Sequence, residues 1–398
     1  MLGTNRMNSP QAFTAALYDA LKPVNPGLED LAIYEFRYGL DTVLPEGGWE
    51  ALTLASQGDI EQLIASRVFY DSIQLKPRRG DKIVLDEKIL HLTRMLLAGL
   101  ARGVYPAAWV RAYFYFDIRG FLFFPRTVYF TPEVLSHFGS QPVQRFEPKQ
   151  AQFERCQDLG YNDFMAANAE VDGAFIQGIQ KIIARSQTPL LILIAGPTAA
   201  GKTEITERLG CALEHTGMSV TSIEVDNFMI DRERRDERAM GKTAMHFELF
   251  LNSLQAILQG KQIFIPRYDF IQATSSHDLQ GQLRPGCKPL EVEPADVIFM
   301  EGNFPFQIEE ISRLIGIKVV YLTDDPVRLK RKWKRDIDYR KKYDPAYFMN
   351  RYFRTQFLRA DEIYLPLLKI CDLCVDTTGA ALWAAPEMAK ILKRPVDS

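Results

Sequence analysis

Leu190-Leu191-Ile192-Leu193-Ile194-Ala195 runs directly into Gly196-Pro197-Thr198-Ala199-Ala200-Gly201-Lys202-Thr203. The apolar run has the length and character of a strand buried on both faces of a parallel sheet. The octapeptide after it fits GxxxxGK[ST] at every fixed position. Glycines at both ends let the backbone curl until its N–H groups point inward at phosphate oxygens, and a helix starting near Lys202 adds the positive end of its dipole. Ile205, Leu209 and Leu213 then recur at helical spacing. Strand, glycine loop and amphipathic helix together predict that Gly196, Thr198, Ala199, Ala200, Gly201, Lys202 and Thr203 bind a nucleoside triphosphate. Lys202 is expected to reach the β and γ phosphates, and the Thr203 hydroxyl to ligate the Mg²⁺ that bridges them.

The rest of the second half alternates strand and helix signals. Further strands are expected at 219–225, 262–265, 297–300 and 318–322, with helical stretches between several of them. This rhythm indicates an α/β fold, a P-loop NTPase-type doubly wound parallel sheet. Ligands of such sheets sit at the carboxyl ends of the strands, which directs attention to two acids. Asp226 ends the strand SVTSIEV, where a carboxylate can take the proton of a hydroxyl as it is phosphorylated. Glu301 ends Val297-Ile298-Phe299-Met300 and suits a magnesium contact. A basic stretch follows from Arg328 through Lys330, Arg331, Lys332, Lys334 and Arg335 to Arg340, Lys341 and Lys342. It is expected to form a lid whose arginines neutralise the transferring group.

The first half shows no comparable chemistry. Residues 86–102 read as an amphipathic helix with Asp86 as its N-cap, and the aromatic segment 112–130 reads as strands forming a core. The polar, proline-marked stretch 139–148 suits a connection, and 163–185 reads as a helix bridging two units. The division expected is residues 1–186, a separate mixed α+β N-terminal domain of unknown role that includes this connecting helix, and 187–398, the phosphate-loop domain.

Composition narrows the functional classes. The 398 residues suit two domains, and 47% hydrophobic with 25% charged residues is ordinary for a globular protein. Lys and Arg total 48 against 50 Asp and Glu, a net charge of −2, so no basic nucleic-acid domain is expected. Nothing reads as a secretory leader or a bilayer-spanning segment, which predicts a soluble, cytoplasmic protein without membrane contact. Cys371 and Cys374 form a lone CxxC without a second ligand pair and read as core residues. Homo-oligomerisation is left open.

Several further segments extend the pattern: Asp226-Asn227-Phe228, Pro266-Arg267-Tyr268-Asp269-Phe270, DVIFMEG at 296–302, RLKRKWKRDIDYR at 328–340, and YLPLLKICD around Pro366. With the phosphate loop, their order and spacing across about residues 188–376 resemble the uridine kinase and phosphoribulokinase family. The resemblance implies an ATP- and Mg²⁺-dependent kinase acting on an alcohol of a small metabolite, such as uridine, cytidine, a sugar phosphate or another polyol. It implies Asp226 as catalytic base, Glu301 as a magnesium partner, and Tyr268, Arg331, Arg335 and Arg340 as contacts to substrate or phosphates. A nucleotide-dependent switch that only hydrolyses or binds ATP is the alternative; no NKxD-type guanine motif is present. The chain departs from uridine kinases where the acceptor is read. Ile271, Gln272, Ala273, Thr274 and Ser275 follow Phe270 in place of a His, Ser and Arg, and Met229 replaces an aromatic residue. An Asp-His-Pro segment is not found between Arg232 and Phe250, and Arg351 replaces a glutamine.

Overall fold

The computed structural model describes residues 10–66, 87–118, 120–149, 161–235, 241–303, 308–340 and 355–394. The expected N-cap Asp86, the basic residues Lys341 and Lys342, and Arg351 lie outside them.

In the N-terminal part, helices Pro10–Leu21, Ile33–Val43, Gln57–Ala65 and Glu87–Ala101 pack around an antiparallel hairpin, β1 (Phe114–Asp117) and β2 (Leu122–Pro125). The expected helical face is buried, including Ile89, Leu92, Leu96, Leu97 and Leu100. The aromatic segment supplies Phe114, Phe116, Phe123 and Phe124 to the same core. Strand structure stops at Pro125, short of the expected end of the aromatic run. A prolyl nitrogen has no hydrogen to give a ladder.

The strands that follow are β3 (Gln144–Arg145), β4 (Leu190–Ala195), β5 (Val220–Glu224), β6 (Ile263–Ile265), β7 (Tyr268–Asp269), β8 (Thr274–Ser275) and β9 (Leu290–Val292). After them come β10 (Val297–Gly302), β11 (Ile317–Leu322), β12 (Leu373–Asp376) and β13 (Ala381–Ala384). Among the described residues the main sheet has seven strands in the order β3-β13-β12-β11-β4-β10-β5. The stretch from β12 through β5 is parallel; β13 and β3 continue it antiparallel. The expected strand at 262–265 is real but stands apart, since β6 pairs with β9 in a separate ribbon.

Side chains alternate across the sheet. Leu191, Leu193, Ile298, Met300 and Val320 face helix Phe247–Leu258 and the C-terminal helical segment through Leu254, Ile257, Ile363 and Leu367. Leu190, Ile192, Ile194, Phe299 and Val319 face helices Tyr161–Ile183 and Lys202–Glu214 through Phe175, Ile179, Leu209 and Leu213. A central parallel strand is apolar without interruption because both of its faces are covered. Cys371 and Cys374 are buried, unpaired thiols in and beside β12, as a core reading requires.

Two expectations about connections are corrected. Residues 139–148 do not form a free linker, because Gln144 and Arg145 pair with Leu382 and Ala381 at the sheet edge. Open edge groups of β13 take up an extended segment, and a polar composition does not prevent backbone pairing. Helix Tyr161–Ile183 does not merely bridge two units. Its Val171, Phe175, Ile179 and Ile182 cover the face of the phosphate-loop sheet.

Candidate functional site

The carboxyl ends of β4, β5 and β10 meet around a cavity of about 630 Å³. Directly after β4, Gly196 has φ 152°, and a methyl group on its Cα would overlap the Tyr321 carbonyl oxygen. Gly201, φ 108°, stands at the N-cap of helix Lys202–Glu214. Between them Ala199 takes the left-handed conformation, φ 62°. Ala200 is fully buried, and its carbonyl accepts a 2.8 Å hydrogen bond from Thr323, which anchors the loop from below. These constraints hold the loop curled between β4 and the helix N-terminus, the arrangement in which loop amides bind phosphate.

Lys202 lies back over the loop and donates to the carbonyls of Gly196 and Pro197, both at 3.1 Å. Burial lowers its pKa, against the pull of Glu301 and Asp226. Thr203 Oγ1 donates to Glu301 Oε1 at 2.9 Å. Glu301 is 9% exposed, and its second oxygen, Oε2, has no hydrogen-bond partner. Burial pushes the Glu301 pKa up to about 7, although Lys202 and Thr203 oppose the shift. A buried carboxylate with an unused oxygen beside a threonine hydroxyl fits a divalent cation. No cluster of three or more His, Cys, Asp or Glu ligands exists among the described residues. Magnesium at a phosphate loop does not need one, since it keeps waters and phosphate oxygens as its other ligands.

Asp226 lies in a short 3-10 turn, Val225–Phe228, directly after β5, and lines the same cavity. Arg331, Arg335 and Arg340 reach it from helix Asp325–Asp338 and the residues just after it. Arg331 donates to the Ala199 carbonyl at 3.0 Å and to Glu204 at 2.7 Å, with its guanidinium 4.0 Å from the Phe164 ring centroid. Arg335 donates to Thr198 Oγ1 at 3.0 Å. Arg340 bonds Asp336 at 3.2 Å and lies 4.6 Å over the Phe270 ring. The basic stretch is therefore folded over the phosphate loop. Its other side is fixed to the N-terminal part, where Arg126 pairs with Asp324 and Thr127 donates to Asp325.

The cavity thus gathers most of the residues singled out in the sequence. Gly196 and Ala200 lie beneath the lining, and Tyr268 is also outside it: it is buried, its hydroxyl accepts from Arg235, and Phe270 lines the cavity instead, in edge contact with Tyr268 at 5.2 Å. Lys334 of the expected basic stretch also lines it, as do Glu224 and Tyr339, which had been given no role. Glu224 is two residues before Asp226 near the end of β5, so strand alternation could have marked it. Two histidines pack nearby. His246 contacts Ser275 at 3.2 Å and His277 contacts Ser276 at 2.9 Å, and burial lowers both pKa values.

A parallel sheet ending in this loop, with a helix-borne set of arginines above it, defines a P-loop phosphotransferase fold. Residues 191–356 match the sequence profile of the phosphoribulokinase / uridine kinase family. A uridine kinase of Brevibacillus brevis is 35% identical over 38% of this chain and 68% of its own length. Another, from Lactobacillus helveticus, is 30% identical over 50% of this chain and 91% of its length. The uridine-cytidine kinase 2-B of Danio rerio is 28% identical over 47% and 72%. The chain belongs to the phosphoribulokinase / uridine kinase family.

Proposed function

We propose that this protein transfers the γ-phosphoryl group of ATP to a hydroxyl of a small metabolite. The observation that carries this reading is the single cavity shared by Asp226, the phosphate loop and the lid arginines. Phosphoryl transfer asks the protein mainly for positioning and charge neutralisation. The loop amides hold the phosphates, and Lys202, released from its two carbonyls, follows the γ-phosphoryl oxygens. Arg331 and Arg335, already fixed to the loop at Ala199 and Thr198, keep further positive charge over the group in transfer. Asp226 accepts the proton of the attacking hydroxyl. Thr203 and Glu301 would hold Mg²⁺, which when bound neutralises charge on the β and γ phosphates.

The relatives' names bring uridine and cytidine forward as acceptors; the departures at Met229 and after Phe270 bring forward a sugar phosphate or another polyol. We place the N-terminal unit at residues up to about 125, because the segment from Tyr129 onward shares the core of the sheet. A cytoplasmic location goes with ATP and a metabolite as substrates, and no helix among the described residues is long and apolar enough to cross a membrane.

The test is ATP consumption by the purified protein with Mg²⁺ across a panel of nucleosides, sugar phosphates and polyols. Acceptor-dependent turnover that disappears in Lys202→Ala and Asp226→Asn supports the reading. Turnover indifferent to every acceptor rejects it.

A further inference from the structure

We propose that Phe164, on helix Tyr161–Ile183, is a positioning residue that holds the Arg331 guanidinium over the phosphate loop. The inference rests on the phosphotransferase reading and adds to it a residue that lies ahead of the family-matching segment, residues 191–356.

Three surfaces meet at the Phe164 ring. The Arg331 guanidinium lies 4.0 Å from its centroid. Val327, one turn before Arg331 on the same face of helix Asp325–Asp338, packs with Phe164 and Ala167 in a small buried cluster. The third surface is the phosphate loop at Gly201. A methyl group on the Gly201 Cα would stand 3.3 Å from Phe164 Cε1 and 3.4 Å from Arg331 Nη1. The ring is therefore wedged between the basic helix and the turn that opens the phosphate-loop helix, and it is 4% exposed.

Its own helix is anchored to the same frame. Asp172, about two turns beyond Phe164, accepts from the Tyr321 hydroxyl at 2.8 Å and from Arg208 at 2.5 Å. Tyr321 belongs to β11 and Arg208 to helix Lys202–Glu214, so Phe164 is held in register with the elements that carry the loop.

The chemistry explains why a ring stands here. The five N–H donors of a guanidinium lie in its plane. Arg331 spends such donors on the Ala199 carbonyl and on Glu204, and phosphate oxygens compete for the same edge. An aromatic ring against the face of the guanidinium attracts the cation without using a donor. The stack can hold Arg331 in place while its edge turns to phosphate. Filling space between two helices would not call for a ring, and the neighbours in the cluster, Ala167 and Val327, are aliphatic.

The test compares the full-length protein with Phe164→Leu, which keeps an apolar side chain and removes the ring; Phe164→Met takes its place if the leucine variant does not fold. The first readout needs no acceptor. Arg331 in the nucleotide-free protein is modified with phenylglyoxal and followed by peptide mass spectrometry, with Arg208 as the internal reference. Arg331 should react about three- to tenfold faster in the variant. Arg208 should be unchanged, which a general loosening of the helix would not allow. The second readout is ATP turnover with Mg²⁺ and the acceptor panel. We expect kcat to fall about three- to thirtyfold with KM for ATP within about twofold, and the loss to vanish when Phe164→Leu is added to Arg331→Gln. Equal Arg331 reactivity, an unchanged kcat in the active protein, or a kcat loss of the same size in the Arg331→Gln background would overturn the proposal. Faster Arg331 modification in a protein that phosphorylates no acceptor would reject the kinase reading and leave the placement of Arg331 by Phe164 standing.

Discussion

Thr203 donates a 2.9 Å hydrogen bond to Glu301, which ties the first turn of the phosphate-loop helix to the end of β10. One oxygen of Glu301 is thereby fixed, and the other is buried without a partner. In the proposed function this pair, two residues 98 positions apart in sequence, holds the divalent cation.

Glu301→Gln should remove the Mg²⁺ dependence of ATP binding. The neutral side chain ends the cost of burying a carboxylate, so the fold itself should be unharmed. ATP titrations with and without Mg²⁺ check this, with turnover expected to fall about a hundredfold or more. An unchanged magnesium requirement would remove Glu301 from the metal site.

Asp226→Asn should lower kcat by about 10²–10⁴-fold while ATP affinity stays where it was. The relevant comparison is single-turnover phosphorylation against equilibrium ATP binding. A matching loss in both would mean that Asp226 organises the nucleotide site and does not take the proton.

Gly196→Ala places a methyl group against the Tyr321 carbonyl, where the backbone of β11 has no room to move. ATP binding should be lost, and stability should drop by about 2 kcal/mol or more. Denaturant unfolding and nucleotide titration measure the two effects separately.

Arg328 and Asp325 form a 2.6 Å ion pair with almost no exposed surface, and Arg328 also donates to Gln356 at 3.1 Å. Asp325 accepts from Thr127 as well, at the junction with the N-terminal unit. Asp325→Ala strands a buried cation and should cost about 3–5 kcal/mol. Arg126→Ala, a milder change at the neighbouring Asp324 pair, should loosen the lid and raise KM for ATP at constant fold. Equal KM in that variant would show that the junction does not steady the lid.

Asp376, at the end of β12, has a pKa pushed up to about 6 by burial, against hydrogen bonds from the Gly379 and Thr378 amides. Its folded pKa lies above the unfolded value of 3.8. The stability it contributes is therefore complete below about pH 4 and is lost as pH rises through 6. Asp376→Asn should flatten that slope, a difference of no more than about 2 kcal/mol because the side chain retains some solvent contact. Thermal unfolding of both proteins across pH 4–7 is the measurement.

What could be read from the sequence was what chemistry and periodicity write locally. The run 190–203 carried both strand and loop, and Asp226 and Glu301 were legible because apolar strands end at them. The edge pairing of Gln144 and Arg145 was not legible. It is made by backbone groups whose partners lie more than 200 residues away, and polar side chains on an outer strand look like a linker. Helix Tyr161–Ile183 was found as a helix and misplaced as a bridge, because an apolar stripe shows that a face is buried without showing against what. Tyr268 belonged to a recognisable motif, yet Phe270 took the cavity, a matter of how two short strands turn.

The most direct test of the central claim follows the γ-phosphorus itself. The full-length protein is incubated with γ-labelled ATP, Mg²⁺ and a mixed pool of hydroxylated metabolites, and the labelled products are separated and identified. Label transferred to an organic hydroxyl, and lost in Lys202→Ala and Asp226→Asn, is the predicted result. Label found only in inorganic phosphate, or transfer that survives Asp226→Asn undiminished, would contradict the account.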